Sequence, residues 1–326
     1  WRFMVENNTQ LKEMIRSMVI DLLQGQKQEA ASSQPVKQAP RGQVEPGVFD
    51  TVDDAIQAAK AAQARFEDCT LATREKVIAD IRAAMRPRVQ ELAQKTVEET
   101  GMGRVADKVL KLNLTLDKTP GVEDLVTECE TGDNGMTLYE LSAYGVIGAI
   151  TPSTNPAETL ICNTIGMLAA GNAVFFSVHP GAKHLSRLLV SELNQIIAKS
   201  IGIENLIVTL REPSIESAQE MMLHPDVSLL VVTGGPGVVK QALQSGKKVI
   251  GAGAGNPPAF VDETADIKKA AQDIVLGASL DNNILCIAEK SVVAMRQIEP
   301  QLVQEMVKVG CVLIDNQQDI QRLVDL

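Results

Sequence analysis

The first periodic pattern in the chain covers residues 11–25. Apolar residues recur there at the spacing of an α-helix, and polar or charged residues fill most positions between them. Gly25 is a suitable stop signal, so we predict an amphipathic helix within residues 1–25. Its apolar stripe comprises Leu11, Met14, Ile15, Met18, Val19, Leu22 and Leu23.

The segment that follows, residues 26–47, is rich in Gln, Ala, Ser and Pro and has almost no large apolar residue. This composition predicts a flexible linker. A short helix on such a tether cannot bury its apolar stripe on itself. It either packs back on the main body of the chain or docks in the groove of a partner protein, and the long linker favours docking.

From Val48 onward the pattern is that of a globular protein. The stretches VDDAIQAAKAAQARFEDC and TREKVIADIRAAMRPRVQELAQKTVEETG predict two long helices, with Asp53 and Thr73 as possible N-caps. Residues 137–151 first alternate and then become continuously apolar, which predicts a hairpin arm leading into a buried strand.

Beyond that strand, apolar stretches alternate with helical patterns. Strands are predicted at 173–178, 205–210, 227–234 and 247–253, and helices at 183–200, at 215–223 and from about 236. This alternation predicts the fold class, an α/β protein with a doubly wound parallel sheet. Ligands of such sheets bind beyond the carboxyl ends of the strands, where we expect the loops 151–156, 178–183, 233–237 and 251–258.

Two of these loops are rich in glycine. TGGPG (233–237) would let backbone amides approach a phosphate at a helix start, although many such loops are only tight turns. GAGAGNPP (251–258) has the glycine spacing of a dinucleotide fingerprint, but its two prolines cannot follow as a helix interior. Extended backbone that passes close to another group is the better interpretation. His179 precedes a proline, which favours a turn and either a structural hydrogen bond or a ligand contact.

Composition excludes several classes of function. The net charge of −10 over 326 residues argues against a nucleic-acid partner. Three His argue against a His-rich metal site, and no apolar run approaches the ~18–20 residues that span a bilayer. We therefore expect no metal, nucleic-acid or membrane partner. Five Cys without a CxxC pair indicate free thiols in a reducing cytoplasm.

Cys286 stands alone between apolar neighbours in DNNILCIAEK (281–290). By itself, ILCIA is more typical of a small residue that packs in a core than of a nucleophile. The polar residues on both sides leave the second interpretation open.

Five segments, taken in order, resemble the aldehyde dehydrogenase superfamily and, within it, the CoA-acylating enzymes of bacterial microcompartments. They are ITPSTNPAETLICNTIGMLAAGNAVFFSVHPGAK, VVTGGPG, IGAGAGNPP, VDETAD and CIAEKSVV. The resemblance covers about residues 46–295. It is strongest to the propionaldehyde dehydrogenases of propanediol utilisation and next to the acetaldehyde dehydrogenases of ethanolamine utilisation.

The resemblance implies a domain organisation. Residues 48–261 would form the NAD-binding domain, with an oligomerisation arm at about 131–145, and residues 262–326 would begin a second α/β catalytic domain. The helix and linker at 11–47 resemble the encapsulation tail of such cargo enzymes. This implies docking of residues 11–23 on a shell protein, inside a microcompartment of the bacterial cytoplasm.

The resemblance also implies a reaction, the oxidation of propionaldehyde or another short-chain aldehyde by NAD with transfer of the acyl group to coenzyme A. Cys286 matches the nucleophile, whose thiolate would form a thiohemiacetal and, after hydride transfer to the nicotinamide, a thioester. No His lies near Cys286 in the sequence to act as a base. The other four cysteines match no motif and are expected to be structural.

The oxyanion of such a reaction needs hydrogen-bond donors. The superfamily uses the backbone N–H of the nucleophile and a side-chain amide from the loop after the first buried strand. Asn155 in PSTNP is the natural amide. Hydrolytic relatives carry PWNFP, however, in which the Asn aligns with Thr154, so both positions remain open.

Two departures from the hydrolytic relatives are informative. Those relatives carry a Glu in an ELGG segment that activates water, whereas the alignment places Ala252 or a neighbouring Gly there. A missing carboxylate disfavours hydrolysis of the thioester. They also carry a Lys that holds the adenosine ribose, and Ser177 takes its place here. Ribose recognition must therefore differ, and NAD rather than NADP rests on the family alone.

The cofactor contacts carried over from the family lie in the four loops or directly beside them, and the last three would follow the nicotinamide ribose. They are Thr151, Pro152, Ser153, Ser177, His179, Pro180, Gly181, Thr233, Gly234, Gly235, Val238, Gly253, Ala254 and Gly255.

The family continues past Leu326, so we expect most of the catalytic domain to be missing and the full-length form to be a homo-oligomer. Three functions follow as hypotheses. The first is a CoA-acylating aldehyde dehydrogenase, the second a truncated, non-catalytic cargo module that binds shell or full-length enzyme, and the third a nucleotide-binding domain without aldehyde chemistry. The segment NNILCIAEK favours the first over the third.

Overall fold

The computed structural model describes residues 45–325. The predicted helix at 11–23 and the linker up to residue 44 lie outside the described residues. The sequence places the end of the linker at residue 47, but Glu45 already belongs to the fold. Its carboxylate accepts hydrogen bonds from Arg187 at 2.7 Å and from Arg211 at 3.0 Å.

The described chain alternates helices and strands. The strands are β1 (Val48–Phe49), β2 (Glu128–Gly132), β3 (Gly135–Tyr139), β4 (Val146–Ile150), β5 (Ala173–Ser177), β6 (Ile207–Leu210), β7 (Val227–Thr233), β8 (Lys248–Ala252), β9 (Pro258–Val261) and β10 (Ser291–Ala294). The helices are α1 (Val52–Glu67), α2 (Leu71–Met85), α3 (Val89–Thr100), α4 (Val105–Lys118), α5 (Pro156–Ala169), α6 (Lys183–Ile201), α7 (Ile215–Leu223), α8 (Pro236–Leu243), α9 (Ile267–Ser279), α10 (Glu299–Lys308) and α11 (Gln317–Val324).

The central sheet confirms the predicted α/β fold class. Its strands are parallel in the order β1-β6-β5-β4-β7-β8. Every residue of β4, β5 and β6 is buried, so both faces of these strands are covered, and this explains their continuously apolar sequences. The chain runs from β4 through β5 to β6 on one side and then returns to place β7 beside β4. The order thus reverses between β4 and β7, the position at which such sheets bind ligands.

Close packing at the sheet depends on a glycine in β4. A Cβ added to Gly148 would lie 2.2 Å from the sulfur of Met221, which is fully buried on α7. Helix α7 therefore reaches the sheet because this strand position lacks a side chain.

The predicted N-terminal helices form, with corrections at their ends. The N-caps are Thr51 and Thr70, whose hydroxyls accept backbone N–H groups, and not Asp53 and Thr73. The second predicted helix divides into α2 and α3 with a 3-10 turn at Arg86–Arg88, because the proline at position 87 lacks the N–H that a continuous helix needs. Helix α4 was missed in the sequence.

The predicted arm is an antiparallel hairpin of β2 and β3, beginning at Glu128 rather than at residue 131. All ten residues of the two strands are exposed. The hairpin leads into buried β4, as the sequence indicated.

A second, smaller sheet pairs β9 with β10 in parallel. Val261 of β9 packs with Ala271 and Ile274 of α9 and with Leu302 of α10 in a core separate from that of the large sheet. The domain boundary between residues 261 and 262 stays a prediction. The pairing of β9 with β10 favours a boundary before β9. Among residues 45–325, no helix combines the length and apolar composition that crossing a membrane requires.

Candidate active site

A cleft of about 370 Å³ lies at the carboxyl end of the large sheet. Loops that follow β4, β5, β7 and β8 meet there with the segment before β10, and this includes the loops on both sides of the topological switch. The lining residues are Pro152, Ser153, Thr154, Asn155, His179, Thr233, Gly234, Gly235, Ala252, Gly253, Ala254, Gly255, Asn283, Ile284, Leu285, Cys286 and Lys290.

Cys286 lines this cleft and is exposed. The alternative that it is a packing residue is therefore wrong for this structure. Cys129 and Cys162 are also exposed, so the expectation of a structural role does not extend to burial for these two. Among the five, Cys286 is the thiol that shares a cleft with polar groups from other loops.

The segment that carries Cys286 begins with a left-handed turn. Asp281, Asn282 and Asn283 have φ values of 51°, 55° and 61° in succession. Asn and Asp tolerate this conformation better than other side-chain-bearing residues do, which explains the sequence DNN. Asn283 stabilises the turn because its Nδ2 donates to the carbonyl oxygen of Glu289 at 3.1 Å.

Lys290 completes the loop around Cys286, and sequence reasoning missed it. Its ammonium group donates to the carbonyl oxygens of Asn283 at 2.6 Å and Leu285 at 2.8 Å. The same residue lines the cleft, so a positive charge lies at the wall that carries Cys286. The signal in the sequence was a lysine four positions after the cysteine.

Asn155 and Thr154 both line the cleft, but their groups are used differently. The carbonyl oxygen of Thr154 accepts a hydrogen bond from buried Lys108 at 2.5 Å. The side-chain oxygen of Asn155 accepts one from Lys111, and its Nδ2 donates to the Thr154 hydroxyl at 3.2 Å. The amide group of Asn155 has a second N–H, so it can still donate to an oxyanion.

His179 also lines the cleft, so the structure places a histidine in the same cleft as Cys286, although no histidine lies near Cys286 in the sequence. Its Nδ1 accepts the N–H of Gly181 at 3.0 Å, and the neutral ring therefore carries its proton on Nε2. Although the residue is exposed, partial desolvation of the ring lowers its pKa below the ordinary value.

The glycine loops leave room for a ligand backbone or phosphate. A Cβ added to Gly235 or Gly253 would meet no heavy atom within 4 Å, and Gly235 is the N-cap of α8, where backbone N–H groups are unpaired. Thr151, at the end of β4, has a buried hydroxyl without a hydrogen-bond partner among the described residues. The open glycine positions leave room for the phosphate groups of a dinucleotide.

Five predicted contacts lie outside the lining of the cleft. Ser177 accepts the N–H of Thr151 at 3.1 Å through its carbonyl oxygen, and both residues are buried behind the wall. Val238 packs partly buried against the core. Pro180 and Gly181 are exposed in the turn after His179.

No Asp or Glu is among the described residues that line the cleft. Ala252 and Gly253 occupy the part of the wall where the sequence comparison expected a water-activating carboxylate in hydrolytic relatives. A thioester on Cys286 would therefore face no carboxylate base from the described part of the chain.

Comparisons with known proteins identify relatives of this chain. The sequence model of the aldehyde dehydrogenase family matches residues 23–313. The chain is 48% identical over 308 residues to the CoA-propanoylating propanal dehydrogenase of Salmonella typhimurium, covering 94% of this chain and 64% of that enzyme. It is 48% identical over 273 residues to the acetylating acetaldehyde dehydrogenase of Bilophila wadsworthia, covering 83% of this chain and 56% of that enzyme.

Two solved structures share the fold. A propionaldehyde dehydrogenase from the fucose-utilisation microcompartment of Clostridium phytofermentans is 51% identical with a TM-score of 0.81, covering 84% of this chain and 63% of that one. The Rhodopseudomonas palustris propionaldehyde dehydrogenase with bound CoA and an acylated cysteine is 50% identical with a TM-score of 0.83, covering 86% and 65%. The chain spans less than two thirds of the length of each of these relatives. Its match to the family over most of its residues nevertheless shows that this chain belongs to the aldehyde dehydrogenase family.

Proposed function

We propose that the chain oxidises a short-chain aldehyde with NAD and transfers the acyl group to coenzyme A through a thioester on Cys286. The observation that carries this proposal is an exposed cysteine that shares a cleft with an amide donor, and the described walls of that cleft contain no carboxylate. The relatives named for CoA-propanoylating and acetylating activities support the same reaction class.

In the proposed reaction, each residue of the cleft has a separate role. The Cys286 thiolate attacks the aldehyde carbon, and the Nδ2 of Asn155 and the backbone N–H of Cys286 donate to the oxygen that becomes negative. When bound, NAD accepts the hydride from the former aldehyde carbon. The thioester left on Cys286 is exchanged to the thiol of CoA, which releases the acyl-CoA and returns the Cys286 sulfur.

Propionaldehyde is the proposed substrate, because the CoA-propanoylating relative matches over 94% of this chain. The test is NADH formation by the whole chain with propionaldehyde or acetaldehyde, with and without CoA, beside Cys286→Ala. Cys162→Ala is a matched control, because this thiol is also exposed but does not line the cleft. CoA-dependent NADH that survives in Cys286→Ala would contradict the proposal.

A non-catalytic cargo module is the second candidate, and the amphipathic stripe at 11–23 supports a docking role in either case. We propose that this stripe binds a microcompartment shell protein. Co-sedimentation with shell protein, with and without residues 1–25, tests it, since equal recovery of both forms would contradict docking. NADH formation by a chain that does not bind shell protein would support the enzyme alone. Binding to shell protein by a chain that forms no NADH would support the cargo module.

The exposed hairpin of β2 and β3 is the proposed oligomerisation arm. Met136, Leu138 and Tyr139 are 67%, 60% and 49% exposed on it, which is apolar area that a second subunit would cover. Sedimentation of the chain with Met136→Ser and Leu138→Ser should show a smaller assembly than the parent chain.

A further inference from the structure

A cluster of charged side chains lies behind the cleft, between α4, the start of α5 and the turn before Cys286. Lys108 and Asp281 are fully buried, and Lys108 Nζ lies 2.9 Å from Asp281 Oδ2. Lys111 also contacts the carboxylate of Asp281, and its Nζ lies 3.4 Å from Glu158 Oε1. Such a cluster needs good pairing, because a buried charge without a partner is strongly destabilising.

A further ion pair, between Arg104 and Asp107, extends the cluster toward the surface. Arg104 Nε donates to Asp107 at 2.6 Å, while Asp107 accepts the backbone N–H of Asp281 at 2.9 Å. The backbone N–H of Arg104 in turn donates to the Asp281 carboxylate at 2.8 Å. Three cations, Arg104, Lys108 and Lys111, thus balance three anions, Asp107, Glu158 and Asp281.

Lys111 is the member that contacts the side chain of Asn155. An ammonium has three N–H donors and no acceptor, and the neighbours of Lys111 are three oxygen atoms, on Asn155, Asp281 and Glu158. The atom of the Asn155 amide that faces Lys111 must therefore be its oxygen. The other end of the amide, the NH2 group, is then the end left to donate elsewhere.

We propose that Lys111 is a positioning residue that fixes the side-chain amide of Asn155 in the orientation needed to bind the oxyanion. Through Asp281, the same ammonium ties Asn155 to the left-handed turn that leads to Cys286, so one side chain sets both elements of the site. The inference rests on the proposed function for its consequence in catalysis, but not for its structural content.

Gly103 supports the view that this contact is built closely. A Cβ added to Gly103 would lie 2.1 Å from Asp281 Oδ1, and its φ of 80° also favours glycine. The backbone before α4 thus comes directly against the carboxylate, which leaves Asp281 little freedom to move away from Lys111.

The test replaces Lys111 in two ways, with Glu158 kept and with Glu158 neutralised. Lys111→Met removes the donor but leaves Glu158 without its cation, whereas Lys111→Met with Glu158→Gln keeps the cluster balanced. Lys118→Met, on the exposed end of the same helix, is the control. We expect kcat to fall on the order of 10²–10³-fold in both Lys111 variants, as for loss of one oxyanion donor, with the control unchanged.

The decisive comparison adds Asn155→Ala. If Lys111 acts through Asn155, the Lys111→Met/Glu158→Gln/Asn155→Ala chain should be no slower than Asn155→Ala alone. Losses that multiply would show that Lys111 acts independently of the amide and would overturn the proposal.

A readout that needs no turnover separates this inference from the proposed function. In protein labelled with 15N-asparagine, the side-chain amide signal that disappears in Asn155→Ala should shift in both Lys111 variants and stay in place in Lys118→Met. A shift in a chain that forms no NADH would sustain the positioning role and contradict the function. An unshifted amide in the folded Lys111 variants would overturn the inference, whatever the activity.

Discussion

Gly255 lies directly against the main chain of Cys286. A Cβ added to Gly255 would come within 1.9 Å of the carbonyl oxygen of Cys286. The loop after β8 and the segment that carries Cys286 therefore touch through backbone atoms, which a glycine permits. The extended glycine backbone expected from GAGAGNPP passes close to the proposed nucleophile, Cys286.

Gly255→Ala should displace one of these two loops. We expect it to lower the free energy of unfolding by about 1–3 kcal/mol, because overpacking forces a backbone shift, and to change the rate at which iodoacetamide alkylates Cys286. Urea unfolding and mass spectrometry measure the two effects. Gly166→Ala in α5 is the control: with open space around its Cβ, it should be about 0.5–1 kcal/mol more stable.

Asn155→Ala and Thr154→Ala decide which residue supplies the oxyanion donor. Because Lys111 holds the amide oxygen of Asn155, its NH2 group remains to donate. We expect Asn155→Ala to lower kcat on the order of 10²–10³-fold, about 2.7–4 kcal/mol, and Thr154→Ala to have a much smaller effect. Steady-state kinetics with propionaldehyde measure both, and the reverse order would assign the role to Thr154.

The absence of carboxylates from the described walls of the cleft predicts slow hydrolysis of the thioester. Without CoA, NADH formation should stop after about one equivalent per chain, with an acyl group left on Cys286. Rapid-mixing absorbance and intact-protein mass spectrometry follow the two products. Steady NADH formation without CoA would mean that water reaches and attacks the thioester.

Asp281 predicts a pH dependence of stability. Burial acts to raise the pKa of its carboxyl, but hydrogen bonds from Lys111, the Arg104 backbone and Lys108 outweigh it and hold the pKa below the usual value. The unfolded chain, with a pKa near 3.9, therefore binds this proton first as the pH falls. The stabilisation is complete above a pH of about 4 and is lost as the pH falls through the lowered folded-state pKa.

We expect Asp281→Asn to cost about 3–5 kcal/mol at pH 7, because it leaves buried cations without their partner. The difference from the parent chain should shrink below pH 4. Urea unfolding across this range measures it. Asp273→Asn, in the exposed pair with Lys269, is the control and should change the stability little, because solvent screens an exposed pair. If Asp281→Asn lowered the free energy of unfolding equally at pH 7 and below pH 4, the lowered pKa of Asp281 would be contradicted.

His179 should titrate below the ordinary histidine value, because partial desolvation disfavours its charged form. Its ring is then neutral at pH 7 and becomes cationic as the pH falls through that lowered value. NMR titration of the ring protons is practical, because the chain has three histidines, and His179→Gln assigns the signal. A pKa above 6.5 would contradict this account.

Local pattern was sufficient for much of the fold. The apolar stretches predicted the strands of the large sheet from β4 to β8. Of these, β4, β5 and β6 are buried on both faces and therefore apolar throughout, whereas β8 is mostly exposed. Local pattern failed at α4, where Lys108 and Lys111 stand in the buried face and weaken the apolar periodicity. It also failed at Arg86–Arg88, where the helical pattern continues across a proline.

By itself, the sequence determined the alternation of strands and helices and the four loops at the carboxyl end of the sheet. It also determined the family of the chain, through motifs that include the segment around Cys286. The tertiary structure decided which groups surround that cysteine. Lys111 and Asp281 are 170 positions apart, and nothing local in either segment indicates that the other neutralises it. A buried charge is stable only when a partner neutralises it. In the sequence, such residues only interrupt an apolar pattern, and their pairing is decided when the fold brings the two segments together.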